Sequence, residues 1–309
     1  KSDNINAMSF DKKGMLFVGT DKGLASFDGE KFSPVNLGIK DANISMVYFN
    51  EKNRMFVGVG NLLLEFDGKK KISEKTFSSK LVDIKVDLDG KTWILTESVL
   101  YKLGENGGYD IEIGVPGKGS CLAVYKNDKV YVGTAGGGLH ALVGKRWHWS
   151  ELMEGVTGVL SNTITCLYID PVGSIWVGTD KGVCVYDDNS YWLDRSKIDG
   201  LPDAHITGMA VAENGDKYFS TTTGLIHQHN GRLSYYGYKR WVPSPYTTGV
   251  IISPDGSVCV STDKGISLFE TKMMSLREKA NELRAQTEKY NVRYGYVIDR
   301  DLEHEGVLS

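Results

Sequence analysis

One short motif written seven times predicts an all-β chain: a seven-bladed β-propeller of about 40-residue repeats, followed by a C-terminal helix and short tail. The motif is an apolar strand closing on Gly-Thr or a near equivalent. It reads LFVGT at 16–20, MFVGV at 55–59, TWILT at 92–96, VYVGT at 130–134, IWVGT at 175–179, KYFST at 217–221 and VCVST at 258–262. Its glycine-equivalent positions lie 37 to 45 residues apart. Four short strands per period of that length make one propeller blade.

Each unit predicts the same order of elements. Residues 161–188 form the clearest copy. Ile164–Ile169 is an apolar strand, Asp170 to Gly173 a turn, and Ile175–Val177 a second strand stopped by Gly178-Thr179. Asp180-Lys181-Gly182 turns again, and Val183 to Tyr186 is a third strand. First strands elsewhere are predicted at Ile5–Phe10, Ile44–Phe49, Leu122–Tyr125 and Ile206–Val211. Third strands end at Phe27, Phe66, Leu103, Leu142 and Phe269, and polar fourth strands follow at Lys31–Val35 and Gly231–Tyr236. Inner strands read as near-continuous Val, Ile, Leu and Phe because neighbouring blades cover both faces.

The turns differ between units. Asp-Lys-Gly is intact at 21–23, 180–182 and 263–265. Leu62 and Val99 stand where unit five has Gly182, so those two turns are expected to take another geometry. Gly136-Gly137-Gly138 makes the fourth turn one residue longer. Lys1 to Asp3 is too short to supply a closing strand. The seventh blade is therefore expected to have three strands, a short fourth from 270–274, or a strand from residues preceding Lys1.

The propeller is assigned residues 1–272, and residues 273–309 a helix and tail. Ser275 with Glu278 makes a capping box, and Leu276, Ala280 and Leu283 share one stripe, which predicts a helix over about 275–289. Residues 290–309 have no core of their own and read as the opening of a further domain or, alternatively, as a segment folded back on the propeller.

The unit at 161–188 resembles the two-component regulator propeller repeat at Asn162, Ile164, Asp170, Gly173, Trp176, Gly178, Thr179, Gly182, Tyr186 and Asp187. The resemblance extends over about residues 4–270 and weakens in units three and six, where Leu95 and Ser220 replace the glycine. It implies a periplasmic or secreted protein of the kind found in bacterial sensor kinases of Bacteroides-like organisms, many of which respond to glycan fragments. The chain departs from that plan in having one propeller and no kinase motif.

Composition is that of an ordinary globular protein, with 41% hydrophobic and 24% charged residues. A net charge of −3 gives no global field for nucleic acid, and no apolar run of about 18 residues crosses a membrane. The four cysteines, Cys121, Cys166, Cys184 and Cys259, have no paired or metal-ligand spacing and read as small buried hydrophobes. No cofactor motif is present.

The candidate site lies on the irregular loops. Residues 143–161, 189–204 and 237–247 hold four of the six tryptophans. Arg146, Trp147, His148, Trp149, Trp192, Arg195, Arg240, Trp241 and Tyr246 form the candidate ligand-binding set, with His205 at the mouth of the sixth inner strand. Indole faces with interleaved charge suit sugar rings and their carboxylates. Trp147 and Trp241 fit equally well as outer-strand residues packed on a blade.

His227 and His229, two apart on a strand, share a side, but a metal would need a third ligand that the sequence does not supply. The expected function is non-catalytic binding or sensing of a carbohydrate or another ligand. The alternatives are a scaffold that docks a following domain or partner protein, and a lyase acting on uronic-acid polysaccharide with His205 or His148 as base.

Overall fold

A computed structural model describes residues 4–87, 89–104, 108–125, 129–148, 158–170, 173–186, 192–194, 205–238 and 240–269, together with 277, 280, 281 and 284; for His148, Tyr186 and 192–194 it describes the backbone. The chain divides into two compact units, Lys1–Phe269 and Glu270–Ser309.

The first unit is a seven-bladed propeller. Blade one is β1–β4 (Ile5–Phe10, Leu16–Thr20, Gly23–Phe27, Phe32–Val35) and blade two β5–β8 (Ile44–Phe49, Arg54–Val59, Leu62–Asp67, Lys70–Thr76). Blade three is β9–β12 (Leu81–Val86, Thr92–Thr96, Val99–Leu103, Tyr109–Gly114) and blade four β13–β16 (Gly119–Val124, Lys129–Thr134, Gly138–Val143, Arg146–His148). Blade five is β17–β20 (Ile164–Ile169, Ile175–Thr179, Gly182–Tyr186, Trp192–Asp194) and blade six β21–β24 (Ile206–Val211, Lys217–Thr221, Gly224–His229, Arg232–Tyr236). Blade seven has three strands among the described residues, β25–β27 (Thr247–Ile252, Val258–Thr262, Gly265–Phe269). Every sheet is an antiparallel meander.

The core is divided into seven apolar clusters, one in each interface between blades. Ile44, Val57 and Leu64 join the first and second blades, and Ile164, Val177 and Leu139 the fourth and fifth. The last interface closes the ring without a shared sheet: Ile5, Leu16 and Val18 of blade one meet Cys259 of blade seven. A groove of about 870 Å³ runs along this seam, walled by Leu24, Phe27, Ile266 and Leu268 among others.

Two residues of the repeat have roles that differ from the sequence reading. Gly178 does not stop its strand; β18 continues through it to Thr179. A Cβ at Gly178 would stand 2.4 Å from Cys166 Sγ and 3.0 Å from Ile206 Cγ2. The glycine is therefore a space requirement, set by the inner strand of its own blade and the first isoleucine of the next. Gly19 and Gly133 meet Ile44 and Ile164 in the same way.

The threonine that follows is a turn staple. Thr179 Oγ1 donates to Gly182 O at 2.9 Å and accepts from Lys181 N at 3.1 Å. Thr20, Thr96, Thr134, Thr221 and Thr262 bond across their own turns in the same manner. Blade two has Val59 there instead. Its turn places Gly60 at φ 61, the first central position of a II′ hairpin, and dispenses with both the threonine and the later glycine.

Aspartate and tryptophan lock the opposite hairpins. Asp170 Oδ1 accepts from Ser174 N, and its Oδ2 accepts from the Trp176 indole at 3.2 Å. Asp87 does the same for Lys91 N and for the fully buried Trp93, at 2.9 Å.

In the second unit, Arg277, Ala280, Asn281 and Arg284 are helical. The rest of the predicted helix and the tail lie outside the described residues. Among the described residues no helix is long and apolar enough to cross a membrane.

Candidate ligand-binding face

Each inner strand begins at the end of the propeller that carries the threonine-stapled turns. All seven inner strands have a β-bulge there, at the second residue: Asn6, Ser45, Val82, Ser120, Thr165, Thr207 and Thr248. Bulges re-aim side chains and recur beside functional sites. Six of the seven carry a hydroxyl or amide, and several use it to tie neighbouring blades. Ser120 Oγ donates to Ile164 O at 2.6 Å, Thr207 Oγ1 to Thr247 O at 2.8 Å, and Asn6 Nδ2 to Asn43 Oδ1 at 3.1 Å. The result is a polar collar around the mouth of the central channel.

One residue ahead of each inner strand lies a second ring: Asn4, Asn43, Lys80, Lys118, Thr163, His205 and Tyr246. All are exposed except the half-buried Thr163. Their backbones are held alike, since Lys80 O, Lys118 O, His205 O and Tyr246 O accept from the N–H of Glu97, Ala135, Thr222 and Asp263 in the turns beside them. Their side chains differ from blade to blade. Lys118 reaches Glu97 at 3.1 Å. His205 and Tyr246 were the two members of the exposed ring that the sequence singled out; neither ring as a whole is visible when the units are read singly. Aligned, the seven units show a polar residue after the first apolar position of nearly every inner strand.

The ring also carries unmet polarity. Asp180 Oδ1, in the stapled turn of blade five, is buried and has no hydrogen-bond partner among the described residues. Further down the channel wall, Asp83 pairs with Lys85 at 3.0 Å and accepts from Leu122 N of the next blade at 3.1 Å. Burial pushes the Lys85 ammonium down, but the charge of Asp83 outweighs it and holds Lys85 above the usual lysine range. A depression of about 620 Å³ lies along the inner strands of blades one, two, three and seven and extends to the turns at Asp11, Asn50 and Pro254, at the end opposite the stapled turns.

The sequence candidates separate into two groups. His205 and Tyr246 belong to the exposed ring just described. Arg146, Trp147 and His148 lie on β16 and Trp192 on β20, the outermost strands of their blades. The Trp147 indole is engaged by Gly114 O of blade three at 2.7 Å, and its ring packs against the apolar core between blades three and four. Trp241 stands edge-on to Tyr236 at 5.3 Å, and the Arg240 guanidinium lies 5.2 Å from the indole centroid. Trp241 stays 43% exposed. Trp149 and Arg195 lie outside the described residues.

The two histidines on β23 acquire a third group. Asp216, just before β22, lies against His227 and His229. The sequence separates them by a hairpin, so only the register of β22 on β23 brings them together.

The two component regulator propeller family matches residues 158–181. No curated protein matches by sequence. Among solved structures, the chain is similar to the extracellular domain of the putative hybrid two component system BT3049 from B. thetaiotaomicron, with TM-score 0.75 and 17% identity. That match covers 88% of this chain and 39% of the other. The extracellular domain of the putative hybrid two component system BT4673 from the same organism matches with TM-score 0.74 and 18% identity, over 89% of this chain and 39% of that one. The chain thus spans about two fifths of those domains. A streptogramin B lyase structure matches with TM-score 0.68 and 14% identity, over 86% of this chain and 93% of that one. At these identities the likeness is one of fold. Seven blades make this chain a seven-bladed propeller, and its fifth blade carries the match to the two component regulator propeller.

Proposed function

We propose that this propeller is a non-catalytic sensing or interaction module whose ligand docks over the channel mouth. The observation that carries this reading is the ring of seven lead-in residues. A uniform backbone presents side chains of unlike chemistry: two amides, two ammonium groups, a hydroxyl, an imidazole and a phenol. Invariant scaffold beneath variable, exposed side chains is how rigid folds present binding groups. The collar of hydroxyls below it suits a ligand rich in hydroxyl groups. Lys80, Lys118 and His205 suit a carboxylate. An acidic oligosaccharide meets all of these, with Tyr246 offering a face for a sugar ring. Similarity to extracellular domains of two component systems supports a periplasmic or extracellular setting.

Binding to a panel of neutral and uronic-acid oligosaccharides tests the reading. His205→Ala with Tyr246→Ala should weaken the bound member by roughly tenfold or more and leave thermal stability unchanged. Unchanged affinity in the double variant defeats it. Ultraviolet-absorbing unsaturated products would instead favour a lyase. Because the chain spans 39% of the B. thetaiotaomicron domains it resembles, a second reading is that the same face docks a further domain or partner protein. Capture of a partner through this face, with no glycan bound, would favour that reading.

A further inference from the structure

Blade six breaks the lock that holds the hairpins of blades three and five. Where those blades have Asp87 with Trp93 and Asp170 with Trp176, blade six has Ala212 with Tyr218. Its carboxylate has moved to Asp216, 7% exposed, and it meets two imidazoles in place of an indole. His227 Nε2 lies 2.9 Å from Asp216 Oδ2, and His229 Nδ1 lies 2.5 Å from Oδ1. One ligand atom from each residue falls within 4.8 Å of the others.

The surroundings hold these groups in place. Tyr218 pairs with His227 across the sheet and stacks on its ring, with centroids 4.4 Å apart and planes 4° from parallel. Asn230 bonds Nε2 of His229 at 3.0 Å and so orients Nδ1 toward the carboxylate. The Lys217 ammonium is drawn aside, over the Trp176 ring at 4.9 Å and toward Gly215 O. Side-chain exposure is 10% for Asp216, 16% for His227 and 54% for His229, so the cluster is walled on one side and open on the other.

We propose that Asp216, His227 and His229 bind a first-row divalent transition ion of the zinc type, with one coordination position left open to solvent. Two imidazoles and a carboxylate are borderline donors that favour zinc, cobalt, nickel or copper over magnesium or calcium. Tetrahedral bonds of about 2.0–2.1 Å put neighbouring donors about 3.3 Å apart. Rotation of the half-exposed His229 ring, with a parting of the Asp216–His227 pair by a few tenths of an ångström from its 2.9 Å, reaches that spacing. Each neutral imidazole then carries its proton on the other nitrogen. For His229 that is Nε2, where the Asn230 amide, reversed, accepts with Oδ1. The site sits where β21 turns into β22 and β23 into β24. That is the end of the blade opposite the ligand face proposed above, so the two proposals stand independently.

Cobalt and zinc titrations of the untagged, chelator-treated protein decide the matter. Wild type should take up one cobalt ion per chain with the visible bands of a four-coordinate site, and zinc should displace it and raise the melting temperature. His229→Ala, at a half-exposed position that tolerates truncation, should weaken binding by roughly 100-fold or more and abolish the bands. His205→Ala should bind as wild type. No saturable binding by wild type at millimolar zinc overturns the proposal. So does equal binding by wild type and His229→Ala.

Discussion

Leu95 of the third blade packs against Gly119, the first inner-strand residue of the fourth. A Cβ on Gly119 would stand 3.1 Å from Leu95 Cδ1 and 2.9 Å from Thr96 O. Elsewhere the sizes are reversed: Gly19, Gly133 and Gly178 meet Ile44, Ile164 and Ile206. The small and large residues have exchanged sides of one interface, and its volume is conserved. Leu95→Gly alone opens a cavity at a fully buried site and should cost about 2–5 kcal/mol. Gly119→Ile alone overpacks and should cost about 1–3 kcal/mol. The double variant recreates the arrangement of the other blades. Urea unfolding should show it more stable than the sum of the single losses predicts, by about 1 kcal/mol or more. Strict additivity would mean that the two residues do not share the space.

Thr179 is fully buried, and its hydroxyl both donates to Gly182 O and accepts from Lys181 N. Thr179→Val keeps the shape and removes both bonds, which leaves the Gly182 carbonyl without its staple. The expected loss is about 1–3 kcal/mol. The reverse change at blade two, Val59→Thr, should bring no matching gain, because its turn already closes through Gly60 at φ 61. Paired denaturation curves for the two variants check this.

The period of the repeat was legible because each blade writes its strands locally, and the strand positions follow from it. What was illegible is what depends on a neighbour. Gly178 reads as a strand stop in isolation; the atoms that require it are Cys166 Sγ on the paired strand and Ile206 Cγ2, which lies 28 positions on and in another blade. Leu62 did mark an altered turn, closed through Gly60 at φ 61, since a turn's own residues dictate its dihedrals, whereas the turn before Val99 keeps the threonine staple. Trp147 read either as a ligand platform or as an outer-strand residue packed on a blade, and what separates the two, its indole donating to Gly114 O, lies across a blade interface. Asp216 was hidden for the same reason, being brought to His227 and His229 only by strand register.

His140 is buried beside the blade-four turn, and burial holds its imidazole below the ordinary histidine range. A histidine depressed in the folded state favours folding while it is neutral. Its contribution is complete above the ordinary value of 6.5. Below that pH the unfolded chain takes the proton first, and stability falls. The depressed carboxylates Asp255 and Asp28 act in a lower window, below their ordinary value of 3.8. Unfolding free energy should therefore decline as pH falls below 6.5, and His140→Gln should flatten that decline. A slope unchanged in the variant assigns it elsewhere.

The seam between blades seven and one should be the first part of the ring to open. Its buried cluster has four members, Ile5, Leu16, Val18 and Cys259, whereas nine residues join blades four and five. Among the described residues blade seven has three strands, and the groove of about 870 Å³ undercuts the contact. Fewer buried apolar contacts mean a smaller free energy of local opening. Cys259 reports on that event directly. It lies 3.8 Å from Met8 Sδ across the seam, and burial pushes its thiol up to about 12, so it is inert while the seam is closed. Cys121, buried between blades four and five, is raised by the same cause. Native-state labelling with a thiol reagent, resolved by peptide mass, should modify Cys259 faster than Cys121. Leu16→Ala, which thins the seam further, should accelerate Cys259 alone. Equal rates at the two cysteines would mean that the ring opens as one cooperative unit and that packing alone seals the seam as firmly as any other interface.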